Sequence, residues 1–258
     1  MTKQNSPDLL IRFNQQVDVN LLPDEFSLMN GNGVHPLCVL AAEELQAHIL
    51  TQKEWQHNFG LENGSTGMVI GKMFGVLVVQ NKANEIGYLA AFSGKLAGSN
   101  QHNKFVPPVF DLLTDDGFLN VGMQELTTIN AEIKTLEAQN SKANETQISQ
   151  LKTKRKQHSI GLQNKIFDQY HFLNQAGEEK SLIDLFTAAG YKNPPAGAGE
   201  CAGPKLLQYA FQHQLKPLAL SEFWWGLSPK SATWKHKAYY PCCKEKCEPI
   251  LAHMLKGI

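Results

Sequence analysis

All 12 prolines of this 258-residue chain lie at or before Pro108 or at or after Pro194. Proline lacks the amide proton a helix needs and its ring clashes with the preceding turn, so long uninterrupted helices form where it is absent. Residues 109–193 are therefore expected to be mostly helical, and the proline-punctuated flanks to supply strands, turns and shorter helices. Within the middle, Leu126, Ile129, Ile133, Leu136, Asn140 and Ala143 follow a 3,4 spacing, the stripe of an amphipathic or coiled-coil-like helix. The phase slips by one at Ile148 and Leu151, beyond the polar stretch 139–147. Two helices folded back on each other satisfy this pattern, and so does one helix with a stutter. The basic run Lys152, Lys154, Arg155 and Lys156 reads as the solvated face of this arm, nearly balanced by Glu132, Glu137 and Glu145, with phosphate contact as the alternative.

In the N-terminal flank, residues 36–50 carry apolar side chains at i, i+3, i+4 and i+7, which predicts a helix. Two strand-like runs follow, 68–79 and 85–92, joined by the polar turn 80–84, so a hairpin is expected. Small residues in both runs (Gly71, Gly75, Gly87, Ala90, Ala91) point to close packing of helices on the sheet. In the C-terminal flank, 194–199 is a loop, and Pro204 sits where the first turn of a helix tolerates proline. Leu206, Leu207, Ala210 and Phe211 give that helix a buried face; a strand runs through 216–225 and a last helix through 247–255. The expected fold is α/β, a mixed sheet packed with helices and interrupted by an inserted helical arm. Its parts are a helix-plus-hairpin segment (1–115), the arm (116–192) and a cysteine-containing helix–strand–helix segment (193–258) that completes the α/β domain.

The formal net charge is zero, which removes the simplest argument for a nucleic-acid binder. The distribution is uneven, however. Residues 1–100 carry 6 basic and 9 acidic side chains, 101–199 carry 10 and 11, and 200–258 carry 8 and 4, so the positive end is C-terminal. No run of about 18 apolar residues exists, which excludes a membrane-spanning helix and any membrane partner of that kind. The start, MTKQNSPDLLIRFNQQ, lacks the apolar core and cleavage site of a signal peptide, so a cytoplasmic location is expected.

Four of the five cysteines, Cys201, Cys242, Cys243 and Cys247, fall in that positive end. In a reducing compartment such clustering reads as thiols or metal ligands before disulfides. Cys243 and Cys247 lie one above the other if the local backbone is helical, and Cys201, at the mouth of the preceding helix, offers a third thiolate. Zinc takes thiolates in fours, or in threes with a histidine or water, and thiolates at helix N-termini gain from the helix dipole. Buried structural thiols are the alternative. Separately, Lys230, Lys235, His236 and Lys237 interleave with Trp234, Tyr239 and Tyr240, a mixture that pairs phosphate contacts with base stacking. Other signals are weaker: Ser93-Gly-Lys95 lacks the upstream glycine of a phosphate loop, the turn Gly31-Asn-Gly33 is too short to cradle a nucleotide, and His35, His48 and His57 have no metal-ligand spacing.

The order helix, strand, strand, helix bearing a cysteine, strand, helix bearing a cysteine pair resembles the front half of the cytidine-deaminase fold. In that superfamily a His or Cys followed two residues later by Glu opens one helix, and Pro-Cys-x-x-Cys opens the next; zinc activates water and the glutamate moves protons. The matching stretches here are Cys201-Ala-Gly203-Pro204 and Pro241-Cys-Cys243-Lys-Glu-Lys-Cys247. Gly203 occupies the place of the glutamate, and Glu200 lies on the wrong side of Cys201, so this resemblance implies a scaffold with its catalysis removed. The second motif is one residue wider than the family's, which leaves the ligand open between Cys242 and Cys243.

The C-terminal block carries a more specific resemblance. Gly199-Glu-Cys-Ala-Gly-Pro-Lys-Leu-Leu-Gln-Tyr-Ala210, Lys216-Pro-Leu-Ala-Leu-Ser-Glu-Phe-Trp-Trp-Gly226 and Tyr240-Pro-Cys-Cys-Lys-Glu-Lys-Cys-Glu-Pro-Ile-Leu251 look like the long N-terminal extension of certain bacterial RluA-type pseudouridine synthases. Ile86-Gly-Tyr-Leu-Ala-Ala-Phe-Ser-Gly-Lys-Leu96 and Phe105-Val-Pro-Pro-Val-Phe-Asp111 fit the same extension, so the resemblance covers most of the chain. In that family the synthase domain follows the extension, with its catalytic aspartate in a His-Arg-Leu-Asp motif. The only arginines here are Arg12, before Phe13, and Arg155, before Lys156, so that motif is absent and no catalytic residue carries over. The resemblance implies a non-catalytic accessory region, part of a longer enzyme or encoded separately. Its implied partners are structured RNA, tRNA or rRNA, and a synthase domain in cis or trans. It requires no cofactor, and zinc is the one candidate ion.

Overall fold

The computed structural model describes residues 9–29, 33–62, 66–113 and 117–258. One unit comprises 1–109 with 171–258, and a second comprises 110–170. Residues 1–8, in the stretch read for a signal peptide, and Gly31 and Asn32 of the short glycine turn lie outside the described residues. Along the chain the elements are β1 (Ile11–Arg12), β2 (Ser27–Leu28), α1 (Pro36–Thr51), β3 (Lys72–Gln80), β4 (Ile86–Phe92), α2 (Phe118–Ala138) and α3 (Glu145–Phe167), and then β5 (His171–Leu173), β6 (Glu179–Ser181), α4 (Leu182–Ala188), α5 (Ala202–Gln212), β7 (Lys216–Trp225), β8 (Tyr239–Tyr240) and α6 (Glu248–Met254). Among the described residues no helix is long and apolar enough to cross a membrane.

The first unit is built on a mixed sheet in the order β1-β4-β3-β7-β2. The β3–β4 hairpin closes where expected, because Asn81 Oδ1 accepts from the amides of Ala83 and Glu85 and Asn84 takes a left-handed φ of 62°. β7 lies antiparallel to β3, and its other edge is covered by two short strands, β2 in parallel at Ala219–Leu220 and β8 antiparallel at Glu222–Phe223. Alternation along the strands sends Phe74, Val76, Val78, Phe223 and Trp225 to one face, where Leu37, Cys38, Ala41, Leu45 and Ile49 of α1 meet them. The opposite face takes α5. A Cβ on Gly75 would lie 2.9 Å from Ala202 Cβ and 3.0 Å from Leu206 Cδ1, so the glycine is what lets α5 ride close to the sheet. α5 is buried from Ala202 to Ala210, further than its sequence stripe indicates, because β5 and α6 pack on it as well.

Three boundaries differ from the sequence expectation. β3 begins at Lys72, not at residue 68, because Ile70 spends its amide on Asn58 O (2.9 Å) and its carbonyl on His57 Nε2 (2.8 Å). Residues 171–192, expected in the arm, instead form the β5–β6 hairpin and α4 of the first unit. The arm stripe ends early, since Asn140 turns to a φ of 46° and Asn140 and Ala143 are exposed.

The second unit takes the folded-back arrangement. α2 and α3 run antiparallel, cross-linked by Glu137–Lys152 (2.8 Å), by Arg155 donating to Asn130 Oδ1 (2.9 Å) and by His158 Nε2 against Gly122 O (3.1 Å). Ile129, Ile133 and Leu162 are buried between them. Two members of the basic run are thus used within the arm, while Lys154 and Lys156 stay exposed.

Close approach at β1 gives a direct test of the sheet edge. A Cβ on Gly87 would lie 2.6 Å from the Ile11 carbonyl oxygen, a backbone atom that cannot move without breaking the β1–β4 pairing. Gly87→Ala is expected to cost about 1–3 kcal/mol in urea denaturation and to accelerate amide exchange at β1.

Candidate metal centre

Cys201 is delivered by the loop before α5, where Gly197 and Gly199 take left-handed φ values of 75° and 89°. It caps α5 in extended conformation, with no side-chain hydrogen bond to the helix, so its sulfur is free to face elsewhere. The other thiols arrive through sheet register. Tyr240 pairs with Glu222 across β8 and β7, and the antiparallel register carries the chain that follows, 241–243, back past Glu222 toward the start of β7. Cys243 and Cys247 then span one turn, with the Cys247 amide donating to Cys243 O at 3.1 Å. The sulfurs of Cys201, Cys243 and Cys247 lie within 4.8 Å of one another, and those of Cys243 and Cys247 are 3.4 Å apart.

The three thiols share their protons unequally. Hydrogen bonds with Cys201 and Cys247 pull Cys243 well below the usual thiol range. The bond with Cys243 pushes Cys201 up, bonds with Cys201 and then Cys243 push Cys247 up, and the loss of hydration in their buried positions adds to this. Cys242, the other candidate, faces elsewhere: its thiol bonds the carboxylate of Glu222, and burial is the main cause of its raised pKa. The structure therefore groups Cys243, not Cys242, with Cys201 and Cys247.

Glu222 is the residue that sequence reasoning missed. It is 4 % exposed, on the α5 face of β7, and its Oε1 accepts from the Gly203 amide at 2.9 Å. Burial raises its pKa to about 7 against the lowering effect of the Gly203 amide and the Cys242 thiol. A Cβ on Gly203 would meet Cys242 Sγ at 3.2 Å and Glu222 Oε1 at 3.7 Å. A carboxylate thus stands beside Gly203, supplied by the strand and not by the helix. The available signal was a lone acid inside an otherwise apolar strand. A second buried charge lies near: Lys205 Nζ donates to Phe92 O at 3.0 Å, and burial lowers its pKa to about 8.

No family model, curated protein or solved structure matches this chain. What the centre can hold follows from its donors. Three soft thiolates suit zinc, copper(I) or iron–sulfur chemistry and disfavour magnesium and calcium.

The lysine–aromatic loop is ordered by its own aromatics. Trp234 stacks on Trp224 with centroids 5.3 Å apart and meets Tyr240 edge-on at 4.7 Å. The Tyr240 hydroxyl accepts from the Lys235 amide and donates to Thr233 O, both at 2.8 Å. His236 Nδ1 accepts from the Gly226 amide, and the Lys237 ammonium sits 5.8 Å from the Trp225 ring centre. Trp234 and His236 are therefore part of the packing, whereas Lys230, Lys235 and Lys237 are exposed. Of the histidines set aside earlier, His35 caps α1 by accepting from the Leu37 amide, and His57 bridges Ile70 O and the Ala97 amide.

Proposed function

We propose that this chain is a zinc-binding, deaminase-like accessory region of an RluA-type pseudouridine synthase that presents a basic loop to structured RNA. The observation that carries the reading is the convergence of Cys201, Cys243 and Cys247, which brings α5 and the segment after β8 to one point. The same segment closes the loop bearing Lys230, Lys235 and Lys237, so a metal at the thiols would brace the surface that meets phosphate. Supporting the scaffold, the β3–β4 hairpin, the α5 that Cys201 caps, β7 beside β3, and Cys243 and Cys247 before α6 follow the deaminase order. The coiled-coil-like arm, α2 with α3, adds a lever on which such a region could contact a long RNA. Uridine isomerisation itself belongs to a synthase domain in cis or trans, since the His-Arg-Leu-Asp motif is absent.

Gel shifts with tRNA and rRNA hairpins test this. Three lysine–phosphate contacts give a slope of about −2 to −3 in log K against log salt. The triple variant Lys230→Gln, Lys235→Gln, Lys237→Gln should remove most of that slope with no change in fold. Absence of salt-dependent binding at micromolar protein would sink the RNA role.

A further inference from the structure

Structural zinc is closed by four protein ligands, whereas a site with three keeps one position for an outside molecule. Among the described residues the group contains three thiols and no fourth cysteine, histidine or carboxylate. The next sulfur along the chain, Cys242, is turned to Glu222. Glu222 itself is an expensive residue to bury: its bonded partners are one amide and one thiol, and no cation pairs with it among the described residues. Both of those partners sit beside ligand sulfurs in the chain, Gly203 two residues after Cys201 and Cys242 one residue before Cys243, so the carboxylate is held where the two ligand-bearing segments meet. A Cβ on Gly203 would press on Cys242 Sγ at 3.2 Å and come within 3.7 Å of Glu222 Oε1, so the missing side chain leaves room beside both.

We propose that Glu222 is the positioning carboxylate of the metal centre, accepting a hydrogen bond from a small N–H or O–H donor, water included, that takes the metal's fourth position. This rests on metal binding by the three thiols, as above. Such an outer carboxylate fixes the orientation of a metal-bound donor and raises its basicity. It also repels anions that would compete for the same position. The centre is then an open site that admits neutral donors, not a closed structural knot.

Cobalt(II) loaded into the full chain provides the readout, because its visible spectrum changes when the fourth ligand changes. Imidazole and azide are titrated at pH 8 into the wild type, Glu222→Gln and Glu222→Asp. Imidazole can coordinate through one nitrogen and donate its other N–H to Glu222; azide cannot donate and is repelled. Glu222→Gln should weaken imidazole about tenfold and tighten azide, while Glu222→Asp restores both orders. Opposite shifts are required, since general damage to the site would weaken both ligands. Stoichiometric cobalt that responds to neither ligand, or equally in wild type and Glu222→Gln, overturns the role of Glu222 and leaves metal binding standing. Failure of the wild type to hold cobalt or zinc overturns both.

Discussion

Cys247→Ser is expected to abolish stoichiometric zinc and, with it, the dependence of melting temperature on zinc concentration. Cys247 is 1 % exposed and reaches both other sulfurs, so no neighbouring water or side chain can substitute for it without repacking the start of α6. Serine keeps the shape but replaces a soft thiolate with a hydroxyl that stays protonated, a poor zinc ligand. Changing a partner outside the first ligand shell costs about 10–100-fold in metal affinity, so loss of a ligand should exceed that range. In the wild type, free zinc at a hundred times its Kd adds about 2.7 kcal/mol to stability by mass action; in Cys247→Ser the increment disappears. Elemental analysis and melting curves at graded zinc measure both effects. Cys242→Ser is the internal control: its sulfur lies outside the group, so it should retain zinc with about a tenfold loss at most. Full zinc occupancy in Cys247→Ser would remove the metal centre.

Phe74→Ala is expected to be the most destabilising single truncation in the sheet unit. Phe74 is fully buried near the start of β3, with ring centroids 5.8 Å from Phe223, 5.9 Å from Phe105, 6.3 Å from Phe59 and 6.5 Å from Phe92. Removing it takes one ring from the centre of four neighbours that belong to different segments, none of which can close the gap alone. Losses of about 3–5 kcal/mol follow from such changes, a large share of the roughly 5–15 kcal/mol that keeps a domain folded. All four tryptophans, Trp55, Trp224, Trp225 and Trp234, lie in the first unit, so their fluorescence in urea follows this unit without interference from the arm. The midpoint should fall with the slope unchanged. Because Phe74 faces α1 and Gly75 faces α5, the folded fraction should keep its sulfur group intact. A loss under about 1 kcal/mol would show that the aromatic cluster collapses around the gap.

Much of the scaffold was legible in local patterns. The 3,4 spacing of 36–50 became α1, the β-branched runs became the β3–β4 hairpin, and the proline-free stretch became two long helices. These succeed because each element is written by neighbours in sequence, through side-chain periodicity and turn chemistry. The misses fall where a segment's hydrogen bonds are spent on distant chain. Residues 68–71 have strand composition, yet His57 and Asn58 take the backbone groups of Ile70. Residues 171–192 share the arm's freedom from proline, yet His253 Nε2 meets Phe172 O at 3.1 Å, one of the contacts that hold β5 against α6. The packing of the lysine–aromatic loop was equally invisible to spacing: Trp234 stacks on Trp224 and His236 meets the edge of Trp225.

The candidate site divides in the same way. The sequence by itself determined that four cysteines gather in a positive C-terminal block, that Cys243 and Cys247 sit one turn apart, and that no Arg-Leu-Asp is present, because these depend only on order and spacing. Only the tertiary structure decided that Cys201 joins them, that Cys242 does not, and that Glu222 borders the group. Those outcomes depend on the register of β8 against β7 and on the close docking of α5 over Gly75, and such pairings are set by which surfaces bury together, not by distance along the chain.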